Sequence, residues 1–504
     1  MVFRGKPSKA CQRCRERRLK VGCHNVCRGS HLIPIQCDLQ KKSCSSCIRA
    51  GTQCRGYRDT ESLRVNDQTE TVQAKLQTQK AKAPLANIPK SVTLDLQIRA
   101  RELFFTSYIV DFSQTWDFLR PYFGPCLAPE HLTLSIDAVS LAFLSHQVYS
   151  DMAVSLSRQK YVSALRKTNA ALQSVKTASN QTVLDASLLL DLFEKIDSRS
   201  YHTSDPNHAH VNGALALVKL RGLDQFTDEA SLGALMRLTM NLIIGCVNKK
   251  DPIADDLQDI RAHMVKHVEQ DAKWMSTGLM IESVDLASEM KTYKTSHEQR
   301  IIKCEELDRK FEMLLQEFAS TLVRVHVDHQ SDRILEDYYE VYPNRRMTQQ
   351  WNVSRITRII FNENIIEECT DKIDEFSKQH LTRARTVVHT MIRDICASIP
   401  QMTDCSWAAK HKLIPGSPWS HIHTLSHTLD VYILIYALYV AAWAKNCLPP
   451  VRTWIEKQLD YIIDHFGIKE AADVRSILRR GNDGAKDAPW NVFRLLGSCA
   501  YAAC

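Results

Sequence analysis

Glycine and proline are scarce in this 504-residue chain, 16 of each, or about 3% against the usual ~7% and ~5%. Few helix breakers exclude a turn-rich β architecture and point to a mostly helical protein. Long apolar runs are missing too. The longest, VYILIYALYVAAWA at 431–444, has 14 residues, short of the roughly 20 that a membrane helix needs. No apolar stretch follows the basic N-terminus MVFRGKPSKACQRC, so no signal peptide is read there. A soluble intracellular chain is the expectation. No GxSxG, GxGxxG or Walker-type loop occurs, which removes the usual sequence grounds for a hydrolase, a dinucleotide enzyme or a nucleotide triphosphatase. Acidic residues are nearly absent from residues 1–58, which hold only Glu16 and Asp38 against 14 Lys and Arg. That head carries a net +12 while the whole chain carries +8, so the remaining residues sum to −4. A compact basic module on a mildly acidic body suggests a polyanionic partner.

Cysteine is what the head has in excess. Eight of the 17 cysteines stand at 11, 14, 23, 27, 37, 44, 47 and 54, and the other nine are scattered from Cys126 to Cys504. Without a secretory signal, such a cluster reads as metal binding rather than disulfides, and the scattered nine as small buried apolar residues. Cys11-x2-Cys14 and Cys44-x2-Cys47 are two CxxC pairs, each able to present two thiolates from one turn to a tetrahedral zinc ion. Six thiolates cannot fill two separate four-coordinate sites, but they fill two adjoining ones when two sulfurs bridge. With two zinc ions the centre would carry a net −2 beside basic residues, a tolerable balance.

The spacing is interrupted between Cys14 and Cys37. With residues 21–36 deleted, the line reads CQRCRERRLK–CDLQKKSCSSCIRAGTQC, with intervals x2, x6, x6, x2 and x6. This resembles the fungal zinc binuclear cluster of transcription factors at every cysteine and in the basic run RERRLK, over roughly residues 8–58. Segment 21–36 is read as a retained intron. Its 16 residues correspond to 48 nucleotides, a multiple of three; every Val codon begins GT, and Gln can be CAG. Two alternatives stand beside it. One is a genuine loop insertion, which loop-closure entropy tolerates because it grows slowly with length. The other takes Cys23 or Cys27 as the missing ligand.

The resemblance implies a short helix and an extended strand in each half, two zinc ions per chain, and a first helix that enters the major groove. It implies that Cys11 and Cys44 bridge the metals, that Cys14 and Cys37 complete one site, and that Cys47 and Cys54 complete the other. Arg17 and Arg18 occupy the positions where the family places its base-contacting pair, and an Arg fork suits the two acceptors of guanine in a CGG triplet. Relatives often have lysine there, a departure that leaves the triplet class clearer than the individual base contacts. Arg15, Lys20, Lys41, Lys42 and Arg49 are candidates for phosphate contacts, which position without specifying.

Residues 59–90 are polar and closed by Pro84 and Pro89, the composition of a flexible linker. Val65, Val72 and Leu76 hint at a short dimerisation helix without reaching a heptad repeat. Residues 91–504 are read as an all-helical body. Apolar residues recur at helical spacing in 91–112, where Ser91 is a candidate cap, and again in 158–176, 182–197, 208–222, 228–247 and 427–446. These suggest helix pairs in a solenoid or irregular bundle. The pieces YVSALRKTNAAL, DASLLLDLFEKI and HVNGALALVKLRG, within 161–222, resemble the fungal-specific regulatory domain that accompanies these clusters. That resemblance implies a regulatory rather than a catalytic body.

Two motifs in the body compete with this reading. DDLQD at Asp255–Asp259 has the form that holds magnesium in class I terpene synthases, yet it follows Pro252 where an acidic first helical turn is favoured. No second magnesium motif accompanies it. His421, His423 and His427 lie in SHIHTLSHTLD, the last two at i, i+4 spacing that can hold zinc; lacking HExxH or a carboxylate partner, they read as surface or core histidines. The expectation is therefore a nuclear, sequence-specific DNA-binding regulator and not an enzyme. It would act at CGG-type sites of RNA polymerase II genes, secondary-metabolite clusters among the candidate targets. Double-stranded DNA, the transcription machinery and a second copy in a homodimer are its partners, and no membrane is. The alternatives are a helical interaction protein whose head is non-functional, and a helical prenyl-diphosphate enzyme using Asp255–Asp259.

Overall fold

A computed structural model describes residues 8–17, 37–57, 95–124, 128–197, 209–249, 251–292, 295–328, 331–406, 423–480 and 488–496. Arg18, Lys20, Cys23, Cys27, Ser91, His421, segment 21–36 and the linker at 59–90 lie outside these residues. The chain divides into two compact units, Met1–Val92 and Thr93–Cys504.

The first unit contains two one-turn helices, α1 (Gln12–Glu16) and α2 (Ser45–Arg49). Each begins directly after the first cysteine of a CxxC pair, with Cys11 and Cys44 held extended as N-caps. The second cysteine of each pair therefore turns inward from the first helical turn. Gly51, at φ +60°, supplies the left-handed residue that ends α2. The core of this unit is Ala10 with Cys11, Cys14, Cys37, Cys44 and Cys47, and Leu39, Cys54 and Tyr57 pack against it. Among the described residues of this unit, no cluster of aliphatic side chains holds it.

The second unit is helical, as its periodicity indicates. Its first helix, α3 (Leu96–Leu103), is capped by Asp95, whose carboxylate accepts from the Gln97 amide, and it runs on as a π-helix over Phe104–Phe112. There follow α4 (Glu130–Val148), α5 (Asp151–Leu172), α6 (Gln181–Asp197), α7 (Ala209–Arg221), α8 (Glu229–Lys249), α9 (Asp255–Met264), α10 (Ala272–Thr292) and α11 (His297–Glu317). The C-terminal half adds α12 (Arg345–Cys369), α13 (Glu375–Ala397), α14 (Leu425–Trp443), α15 (Pro449–Phe466), α16 (Lys469–Arg480) and α17 (Ala488–Leu495). The termini carry expected signals. A capping box of Ser296 and Gln299 opens α11, and Pro449 opens α15, which Gly467 closes at φ +69°.

Helices α4, α5 and α6 pack together in the N-terminal half, and α11 to α14 in the C-terminal half, over one continuous apolar core. Helix α14 is apolar on almost every side because neighbours surround it. By composition α14 and the stretch Glu229–Val247 are long and apolar enough to cross a bilayer, and 67% of each apolar window is buried inside the body. The all-helical expectation needs one correction. An antiparallel hairpin, β1 (Val323–His326) and β2 (Tyr338–Val341), pairs Val323 with Val341 and His326 with Tyr338. It is pinned from inside: fully buried Glu340 accepts from Arg355 Nη2 at 2.8 Å and from the Tyr342 hydroxyl at 2.5 Å.

Candidate metal centre

Six sulfurs converge between α1 and α2. Cys11, Cys14, Cys37 and Cys44 form one group whose sulfurs all lie within 4.8 Å of one another, and Cys11, Cys44, Cys47 and Cys54 form a second. Cys11 and Cys44 belong to both. Cys11 Sγ stands 3.7 Å from Cys44 Sγ and 3.7 Å from Cys47 Sγ, and Cys14 Sγ stands 3.8 Å from Cys44 Sγ. Disulfides need about 2.05 Å, so these are separate thiols. Zinc–sulfur bonds of about 2.3 Å in tetrahedral geometry give an edge of about 3.8 Å, which is the spacing found. The donor set could thus hold metal ions, two by the count of groups.

Cys37 reaches this cluster although 22 residues separate it from Cys14. Closing a loop of that length costs little more than closing the short one, since the entropy rises only logarithmically. Around the sulfurs the polar groups are committed to the backbone. Arg13 Nη1 donates to the Ser46 carbonyl at 3.1 Å and sits 4.0 Å from Cys47 Sγ, linking the two helices. The Asp38 carboxylate accepts from the Ser45 amide at 3.0 Å and from its hydroxyl. Burial opposes ionisation of Asp38, but the Ser45 donors outweigh it and hold the carboxyl below the ordinary range. Burial raises the Cys11 thiol far above its usual value and pushes Cys14 up to about 11. Cys54, half-buried, is brought down to about 7, first by the backbone N–H of Cys44.

Among the basic candidates, Arg17, Lys41, Lys42 and Arg49 are exposed on this unit. Arg15 is half-buried, with Nη1 donating to the Ala10 carbonyl at 2.7 Å, and Arg49 Nε donates to the Ser45 carbonyl at 3.3 Å. Arg13 was absent from the sequence-based candidates; its placement as a tie between the halves could not be read from spacing.

In the body, Asp255 and Asp256 occupy the first turn of α9, and Asp256 pairs with Lys219 at 2.7 Å. His423 and His427 come together with Cys405, one of the scattered cysteines expected to serve as small buried apolar residues. A largely apolar cavity of about 200 Å³ is lined by Met240, Met280, Ile356, Tyr432, Tyr436 and Trp490 among others. No family model, no curated protein and no solved structure matches this chain.

Proposed function

We propose that the chain is a sequence-specific DNA-binding regulator of the fungal zinc-cluster type, acting in the nucleus at CGG-containing sites. The observation that carries this reading is the pair of four-sulfur groups sharing Cys11 and Cys44, set against a short basic helix. Cys14 and Cys37 would complete one zinc site, and Cys47 and Cys54 the other. The metal would supply the cross-link that a core of cysteines and one alanine lacks. The chain's own residues do the recognition. Arg17 and Arg18 would offer forked donors to guanine, while Arg15, Lys20, Lys41, Lys42 and Arg49 would neutralise phosphates. The helical body would receive regulation, and its apolar cavity suits an apolar small molecule.

Binding-site selection from random duplex DNA tests the reading, using the full chain and residues 1–90, each with and without segment 21–36. Enrichment of CGG triplets by zinc-loaded protein is the expected result. A head that takes up no metal and shows no sequence preference in either form would sink it. Sequencing the transcript tests the intron separately, because a message that keeps the 48 nucleotides in most copies makes the segment a genuine loop.

A further inference from the structure

We infer that Cys405, His423 and His427 form a second metal site of the zinc class, in the helical body and independent of the cysteine head. The ligand atoms of these three residues lie within 4.8 Å of one another. Cys405 and His427 are buried, at 7% and 1% exposure, and His423 is half-buried.

The local fold prepares this arrangement. Thr424 caps α14, its hydroxyl accepting from the His427 amide at 3.2 Å, so His423 stands just before the helix and His427 in its first turn. The ring centroids of the two imidazoles are 5.2 Å apart. Their Nδ1 atoms are 3.3 Å from each other. The other nitrogen of His427, Nε2, lies 3.1 Å from the Met402 carbonyl. A carbonyl oxygen only accepts, so Nε2 carries a proton, and in the tautomer that binds metal the lone pair lies on Nδ1, the atom that faces His423. A ring N–H held by a backbone carbonyl is the usual support of a metal-binding histidine. Two nitrogens bound to tetrahedral zinc at about 2.0–2.1 Å stand about 3.3–3.4 Å apart, which matches the pair.

The thiol is supported from another helix. His465, in the last turn of α15, places Nε2 3.0 Å from Cys405 Sγ and stacks on Tyr461. It would donate its N–H to the Cys405 thiolate once the sulfur binds metal. One thiolate and two imidazoles suit zinc, with water at the fourth position; copper shares this donor set, so the metal analysis counts both ions. On binding, the ion would displace the thiol proton of Cys405 to solvent. The site would tie the segment after Ile399–Thr403 to the start of α14, with the end of α15 held against the sulfur.

Metal analysis of the full chain after extensive dialysis decides the matter. Cys405→Ser and His423→Gln should each carry one zinc fewer than the unaltered chain. A chain with Cys11→Ser and Cys44→Ser should still hold one zinc, and loading it with cobalt(II) should give a thiolate-to-metal absorption band that Cys405→Ser removes. The band itself is read in a protein whose body is unaltered, and an unchanged circular-dichroism spectrum of the metal-free Cys405→Ser chain separates loss of the ligand from loss of the fold. Equal zinc counts in the body variants and the unaltered chain, or no metal and no band in the head variant, would overturn the inference. A chain that holds one zinc before and after the head substitutions would instead refute the head and leave the body site standing.

Discussion

Replacing a shared sulfur should release two metal ions, and replacing an unshared one should release one. Cys11 belongs to both four-sulfur groups, whereas Cys54 belongs to a single group. The consequence is large because structural zinc contributes roughly 10–16 kcal/mol to folding in small domains at pH 7. Nothing among the described residues of the first unit replaces that, since Ala10 is the one aliphatic residue there in the fully buried core. Cys11→Ser should therefore unfold the head as well as empty it. Protons compete for the same sulfurs. Burial pushes the Cys14 thiol up to about 11, so a metal bound at pH 7 has to displace its proton. The Cys11 thiol is raised further, so both carry protons in the metal-free head at neutral pH. Each pH unit downward then weakens zinc binding by about 1.4 kcal/mol for each of these thiols, or about a hundredfold for the two together. The assay is metal analysis of the unaltered chain, Cys11→Ser and Cys54→Ser, with competition against a zinc chelator at pH 7 and pH 6. Equal metal loss in the two variants, or affinity that does not change with pH, would refute the shared-sulfur reasoning.

Further predictions address recognition and the body. Arg18→Ala should weaken binding to a CGG duplex by about 1–3 kcal/mol more than binding to random DNA, whereas Lys41→Ala should weaken both alike and lower the salt slope by about one; fluorescence anisotropy at several salt concentrations reads both. Arg355→Met would take from the buried Glu340 carboxylate its fully buried guanidinium, leaving it Arg324 and the Tyr342 hydroxyl, and should cost about 3 kcal/mol in a denaturant titration of the body. Asp185 is 2% exposed, and burial raises its carboxyl to about 7. A raised carboxyl stabilises the fold at low pH, and that contribution is lost as pH climbs from about 4 through about 7. Asp185→Asn should accordingly raise stability by up to about 4 kcal/mol at pH 8 and by less than half of that at pH 5, as followed by thermal unfolding at the two pH values.

Much of the cysteine head was legible because its information is local and chemical. The CxxC pairs and the x6 intervals named the same six cysteines that the structure brings together, including Cys37 beyond the long interruption. The body was legible at the level of helices for the same reason: apolar residues at three- and four-residue spacing declare a buried face wherever they occur. Boundaries were less so. The first described helix of the body starts from Asp95, where a carboxylate meets the Gln97 amide, and the apolar run after it widens into a π-helix that no periodicity announced. The hairpin was missed because four-residue strands carry too little alternation to stand out; buried Glu340, held by Arg355 and Tyr342, is what fixes it.

By itself the sequence determined a basic, cysteine-rich head and a helical body, since charge, ligand type and helical period are properties of neighbours along the chain. Tertiary structure alone decided that Arg13 ties the two halves of the head and that Cys405 meets His423 and His427. Those relations depend on how separate segments pack, and packing sums many weak contacts between residues far apart in the chain. A lone cysteine before a histidine pair carries no spacing rule that foretells their meeting; only the cap on α14 and the end of α15 bring it about.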